Sequence, residues 1–345
     1  MLKTGGFALV FLVKAQGNLG RFALKRLFVN SEQDLENAKN EIEIAKKLCS
    51  HKNIVNLVES NIKHCGNGVY EIFLLMDHCR GQLLQRMNDK LKEGSKFTET
   101  EVLEVFCDLC EAVAKMHRLE PPVIHRDLKI ENILINETGT YQVCDFGSAT
   151  SKILCSLSPD QSSLEIEEEI KRYTTLSYRA PEMIDIYSGK AITTKSDIWA
   201  LGCCLFKLCF FQMPFGESTL AIQNSHLTIP DDKANDYSSK LLSLIGYMLI
   251  PNPDLRPDIF QVSQLAFKLA DKKCPIINVK AKVIIPDWAD MKVPLTDSQA
   301  REIKRSISGH NLQSLNNTNL NPDSGSTSDS KTTSVTPRQR PKSKN

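Results

Sequence analysis

Two aspartates with an asparagine between them carry the clearest chemistry in this chain of 345 residues. Asp127 and Asn132 lie in one short loop, His125-Arg126-Asp127-Leu128-Lys129-Ile130-Glu131-Asn132, and Asp145 follows in Asp145-Phe146-Gly147. Phosphoryl transfer is catalysed mainly by positioning and charge stabilisation. It needs metal-binding oxygens close to a base that orients the attacking hydroxyl, and the spacing of Asp127 and Asp145 suits that division. Asp145 ends the strand-like run 141–144, and Gly147 lets the chain turn away, which presents one carboxylate at a strand end. An Asp-Phe-Gly triplet alone is weak, because three residues recur by chance. Preceded by this loop and followed by Ala180-Pro181-Glu182, it is strong.

The elements that must hold these residues divide in two. Short β-like runs at 7–13, 22–28, 54–58 and 69–76 surround one helix, for which Ser31 is a cap and Glu32 and Asp34 suit the positive N-terminus. Leu35, Ala38, Ile42, Ala45 and Leu48 recur along it at helical spacing. From Thr98 onward helical patterns dominate, with Thr98 and Glu101 forming a capping box. A small β-rich lobe therefore precedes a larger helical one. After about residue 279, Asn, Ser, Thr and Pro accumulate and 11 Lys and Arg face 6 Asp and Glu, a composition that predicts a disordered tail.

Composition sets further bounds. A hydrophobic content of 41% is ample for a buried core, and a net charge of only +2 implies neither nucleic acid nor an acidic membrane surface as partner. Eleven cysteines without framework spacing predict reduced thiols in a cytoplasmic protein. Cys107 and Cys110 form a C-x-x-C inside a helical pattern, and with no second pair nearby they read as buried helix thiols. The run 7–13 has the look of a short signal peptide but is followed by Lys14 and lacks a small-residue cleavage site, so it reads as strand. The run 201–211 carries Lys207 and reads as a core helix.

Taken together, these motifs resemble a eukaryotic protein kinase over residues 1 to about 275. The resemblance implies an α+β bilobal fold: a β-rich N-lobe over 1–76, hinge and mainly helical C-lobe over 77–279, and the tail over 280–345. It implies ATP and Mg2+ as cofactors, Asp127 as catalytic base, and Asn132 and Asp145 as metal ligands. Lys129 resembles the lysine that serine/threonine kinases place on the transferred phosphate, and Thr175 the threonine lining the acceptor-hydroxyl site. Phe22-Ala23-Leu24-Lys25 matches the V-A-I-K pattern. On a strand Ala23 and Lys25 face one side, so a small residue admits the adenine ring while the ammonium meets the phosphates. Glu41, at the edge of its helix's apolar stripe, is then the partner that fixes Lys25. Met76 falls at the gatekeeper position, with Asp77 and Cys79 as backbone contacts for adenine and Val10, Ala23 and Leu134 sandwiching the ring. Asp197 resembles the aspartate that ties down the catalytic loop, and Glu182 is expected to pair with Arg256.

The phosphate loop departs from the pattern. Against G-x-G-x-x-G-x-V, residues 3–10 offer Gly5 and Gly6 but place Lys3 first and Ala8 last. A glycine there lets backbone N–H groups approach phosphate. Two readings follow: a start truncated within the first strand, or a kinase-fold scaffold with impaired nucleotide binding.

More specific segments are Gly5-Gly6-Phe7-Ala8, Met76-Asp77-His78-Cys79-Arg80-Gly81, Asp145-Phe146-Gly147-Ser148-Ala149-Thr150, Tyr173-Thr174-Thr175-Leu176-Ser177-Tyr178-Arg179 and Pro214-Phe215-Gly216-Glu217-Ser218. These resemble the Numb-associated kinases. That resemblance implies phosphorylation of a threonine in the medium subunit of a clathrin adaptor, regulation of endocytosis, and peripheral placement at clathrin-coated membranes. It also implies an activation-segment helix ordered without phosphorylation, drawn from the acidic stretch 165–172, although Arg126 retains the residue that binds a phosphate in other kinases. Most charges of that stretch read as a solvated helical face.

Overall fold

A computed structural model describes residues 3–5, 8–14, 17, 20–278 and 283–316. Its first part is a five-stranded antiparallel sheet of order β1-β2-β3-β5-β4, built from β1 (Lys3–Gly5), β2 (Ala8–Lys14), β3 (Arg21–Val29), β4 (Leu57–Gly66) and β5 (Val69–Asp77). The register sets Gly5 opposite Ala8, Val10 opposite Lys25, and Ala23 opposite Met76. Helix α1 (Glu32–Leu48) crosses between β3 and β4. Ser31 caps it by accepting from the Asp34 N–H, and its buried stripe includes Leu35, Ala38, Ile42, Ala45 and Leu48.

One strand differs from expectation. The run 54–58 predicted a strand, but β4 extends to Gly66 and most of it is exposed. An edge strand held by backbone pairing to β5 needs no apolar alternation, so periodicity did not mark it. Ile54 instead makes an isolated parallel bridge to Val143.

The second part is mainly helical: α2 (Leu83–Lys92), α3 (Glu99–His117), α4 (Ser163–Tyr173), α5 (Pro181–Ile184), α6 (Thr194–Phe210), α7 (Thr219–Asn224), α8 (Ser239–Met248) and α9 (Ile259–Leu269). Thr98 and Glu101 close the capping box of α3 as expected. Helix α6 is the central post, buried nearly all round, and Cys107 and Cys110 are buried in α3. A small sheet of β6 (Gly81–Gln82), β7 (Ile133–Ile135) and β8 (Tyr141–Val143) lies on either side of the catalytic loop in sequence. The architecture is thus a β-sheet lobe followed by a helical lobe.

The stretch from 280, read as disordered from composition, has regular structure within its described residues. Strand β10 (Leu295–Thr296) pairs in parallel with β9 (Thr228–Ile229), and α10 (Asp297–Asn316) follows. The Asp231 carboxylate accepts from Ser298 N and Oγ at 2.9 and 2.7 Å, satisfying an N-terminal donor of that helix. Trp288 and Met291 pack on the core, so a few apolar anchors outweigh the polar composition. Residues 317–345 lie outside the described residues. Among the described residues no helix is long and apolar enough to cross a membrane.

Candidate active site

The catalytic loop is built around Asp197 at the start of α6. Its fully buried carboxylate accepts from the backbone N–H groups of His125 and Arg126 at 2.8 and 3.0 Å, and from His117 Nε2 at 2.9 Å. Those bonds hold Arg126 at φ 65°, a left-handed conformation that costs about 1–3 kcal/mol for a residue with a side chain. His125 uses both ring nitrogens: Nε2 lies 3.3 Å from the Cys144 carbonyl and Nδ1 3.3 Å from the Asp127 N–H. The loop is therefore stitched to the strand that delivers Asp145.

Asp127, Lys129 and Thr175 converge. Lys129 Nζ is 2.7 Å from Asp127 Oδ2 and donates to Thr175 Oγ1 at 2.9 Å, while the Thr175 hydroxyl donates to Asp127 Oδ1 at 2.6 Å. A hydroxyl is already held between carboxylate and ammonium here, which is the arrangement an acceptor hydroxyl requires. Asn132 Nδ2 donates to the Asp127 carbonyl at 3.0 Å and to its carboxylate at 3.3 Å. That fixes the amide with its oxygen directed away from the Asp127 contacts.

Lys25 stands across the cleft. Its Nζ donates to Glu41 Oε1 at 2.7 Å and to Asp145 Oδ1 at 3.1 Å. Burial alone would lower the Lys25 pKa; the Glu41 and Asp145 carboxylates outweigh it and hold the ammonium well above the usual lysine range. Asp145 itself sits at φ 68°, which turns its carboxylate back toward Lys25. Gly147 is the residue that permits this closeness. A Cβ there would stand 3.3 Å from Glu41 Oε2 and 3.6 Å from Asp145 Oδ1. Phe146 tucks beneath and meets the His125 ring at 5.5 Å between centroids.

Between the sheet and the catalytic loop lies a cleft of about 520 Å³, of a size that takes a nucleotide. Val10, Ala23, Met76, Asp77, Cys79 and Leu134 line its apolar end; Lys25, Glu41, Asn132 and Asp145 line the polar end. The Cys79 thiol, 3.5 Å from Gln142 Oε1, is pushed up to about 12 by burial and by Asp77 and Glu137. Gly5 pairs with Ala8 at the mouth of the β1-β2 hairpin; Gly6 lies outside the described residues.

Three features escaped sequence reasoning. Glu169 of α4, read as one of a solvated set, accepts from Arg126 Nη1, while Arg126 Nε donates to the Ser148 carbonyl and its guanidinium lies 5.0 Å from the Tyr173 ring centroid. Helix α4 is also tied to α1: Asn37 Nδ2 donates to Tyr173 OH and Arg172 pairs with Asp34. Asn40 Nδ2 adds a bond to the Ala149 carbonyl at 2.9 Å. Short polar side chains spaced three apart on α1, beside Glu41, were the available signal. Third, Lys207 of α6 reaches Glu131 of the catalytic loop at 2.9 Å.

Farther off, Arg256 and Glu182 form the expected pair. The guanidinium makes bonds of 2.7 and 2.9 Å to the Glu182 carboxylate and donates to the carbonyls of Ile250, Lys195 and Pro251, so every N–H is used.

Comparison with known proteins agrees with this geometry. The protein kinase domain model matches residues 2–267. A Dictyostelium discoideum protein named a probable serine/threonine-protein kinase is 43% identical over 81% of this chain and 25% of its own length. The serine/threonine-protein kinase sel-5 of Caenorhabditis elegans is 38% identical over 98% of this chain and 33% of its own. The actin-regulating kinase PRK1 of Saccharomyces cerevisiae is 39% identical over 80% and 35%. The chain thus spans about a third or less of the length of these relatives. With the matched domain covering most of its residues, the chain belongs to the protein kinase domain family.

Proposed function

We propose that this chain is a serine/threonine protein kinase that transfers the γ-phosphate of ATP to a protein hydroxyl. The carrying observation is the Asp127–Thr175–Lys129 contact set facing the Lys25–Glu41–Asp145 set across one cleft. Asp127 orients the acceptor hydroxyl and takes its proton. Lys129 offers positive charge where the transferred group becomes more negative. Lys25, held by Glu41, orients the ATP phosphates, and adenine stacks between Val10, Ala23 and Leu134, with the backbone of Asp77 and Cys79 reading its edge.

The donor set fits magnesium as kinases hold it. Asn132 and Asp145 are hard oxygen donors, and the remaining ligands of such an ion are waters and substrate phosphates rather than a protein cage. Among the described residues no group of three or more His, Cys, Asp or Glu is placed to hold a metal alone. When bound with ATP, the ion supplies charge neutralisation at the phosphate oxygens.

The finer reading is a Numb-associated kinase acting on a threonine of a clathrin-adaptor medium subunit, at the cytoplasmic face of coated membranes. Its support is the set of segments around the hinge, the Asp145-Phe146-Gly147 motif and the activation segment, together with similarity to a kinase named for actin regulation. The same reading gives activity without activation-segment phosphorylation, supported by the Arg126–Glu169 pair. The test is incorporation of labelled phosphate into an adaptor medium-subunit peptide by wild type and Asp127→Asn. Equal incorporation by both would overturn the activity; incorporation into general protein substrates but not into this peptide would overturn only the adaptor assignment.

A further inference from the structure

Behind the apolar end of the nucleotide cleft, one side chain joins three separate stretches of chain. Gln142 of β8 is buried, as are its strand neighbours Tyr141 and Val143. Its Nε2 donates to the carbonyls of Lys52 and Ile54 at 2.9 and 3.3 Å, in the stretch between α1 and β4. Its Oε1 accepts from the Cys79 thiol at 3.5 Å. Both ends of the amide are thus in use. Cys79 and Val55 line the cleft, so Gln142 acts on a nucleotide through them.

Backbone bonds already join parts of these stretches. Val55 N donates to the Val143 carbonyl at 3.0 Å, Val143 N to the Asn53 carbonyl at 2.9 Å, and Asp77 N to the Asn56 carbonyl at 3.1 Å. They fix 53–56 to β8 and to the first hinge residue; two residues farther on, the tie to Cys79 is made by the Gln142 side chain. Between them, His78 Nδ1 lies 3.0 Å from Glu137 Oε1 in the turn joining β7 and β8. That carboxylate is exposed, so its pair contributes little, and the buried amide is the firmer hold. A buried amide with donor and acceptor both satisfied rigidifies the segments it joins. An apolar side chain on β8 would fill the space but leave the thiol and both carbonyls without this partner.

Resting on the ATP reading above, we infer that Gln142 is a positioning residue for the nucleotide: by joining Cys79 to the Lys52 and Ile54 carbonyls, it fixes the hinge backbone where Asp77 and Cys79 meet the adenine edge. Without the amide the hinge drifts, while Asp127, Lys129 and Lys25 keep their contacts. Affinity for ATP therefore changes and the transfer step does not.

The experiment uses the full chain and Gln142→Met, which keeps the length of the side chain but neither its donor nor its acceptor. KM for ATP is expected to rise about fivefold, with kcat within about twofold of wild type. Cys79→Ala, which removes the same bond from the other side, should raise KM by a similar factor, and the double variant should add little to either. If Gln142→Met fails to fold, KM for ATP in Cys79→Ala decides. Hydrogen exchange without nucleotide reads the hinge independently of ATP: residues 77–82 should exchange faster in Gln142→Met, while α6 keeps its wild-type rate. Faster exchange confined to the hinge, in a protein whose wild type binds no ATP, supports the tie while contradicting the nucleotide reading. Unchanged KM and unchanged hinge exchange in the folded variant, a loss confined to kcat, or additive effects of the two substitutions overturn the inference.

Discussion

Arg126 of the catalytic loop donates to Glu169 of α4, and its guanidinium lies over the ring of Tyr173. In a kinase that needs activation-segment phosphorylation, a phosphate supplies the negative charge for this arginine. Glu169 supplies it from the sequence, and Lys152 lies 3.6 Å from its other oxygen.

Phosphatase treatment is therefore expected to leave turnover unchanged, whereas Glu169→Gln should lower kcat/KM about tenfold, equivalent to about 1.4 kcal/mol. Steady-state kinetics on treated and untreated protein checks this. Loss of turnover on dephosphorylation would contradict it.

Asp127→Asn should reduce kcat by about 10²–10⁴-fold, the range for a lost general base, with ATP affinity nearly intact. Nucleotide affinity by calorimetry beside single-turnover rates separates the two effects. A parallel loss of affinity would move Asp127 from chemistry to nucleotide binding.

Lys25 and Glu41 share one bond, so their removal should not add. Lys25→Met and Glu41→Gln are each expected to weaken turnover strongly, with the double variant little worse than Lys25→Met. Additive losses in the double-mutant cycle would show that Glu41 acts elsewhere.

Arg256→Ala leaves Glu182 charged and buried without its partner. A loss of about 3–5 kcal/mol is expected, read as a lower urea midpoint. A shift under about 1 kcal/mol would mean that water reaches the site.

Alkaline pH should destabilise the fold. Burial pushes the Cys79 and Cys107 thiols up to about 12 and raises Cys110, Cys203, Cys204 and Cys209 as well. Unfolded thiols ionise near about 8.5. The folded state therefore holds more protons above that value, and this contribution to stability is complete below it and is lost as pH rises through the folded values. Urea midpoints at about pH 8 and about pH 10, with proton release on unfolding, test the sign; a midpoint that rises would refute it.

What the sequence disclosed depended on distance along the chain. Asp127, Lys129, Asn132 and Asp145 are close neighbours in sequence, and the structure brings them together with Lys25, Glu41 and Thr175. The small lobe was legible from the short β-like runs that became β2, β3 and β5 and from the stripe of α1, but the full length of β4 was not, because a mostly exposed edge strand has no apolar code. Glu169 could not be matched to Arg126, since one of four glutamates on a helix is singled out only by packing. Lys207 looked like an interruption in an apolar helix until Glu131 stood opposite it. The stretch 283–316 misled through composition, which cannot weigh a few anchors such as Trp288 against many polar residues.

The ties from Asp34, Asn37 and Asn40 to the activation segment also bear on inhibitor design. A compound that fills the cleft as it stands finds Lys25 and Glu41 already joined. One that requires α1 rotated outward must first part three contacts along a single helix face, and its apparent affinity falls by the fraction of molecules in which they are open. Selectivity toward this chain is thus better sought in the width of the nucleotide cleft at Met76 and Cys79 than in a displaced helix.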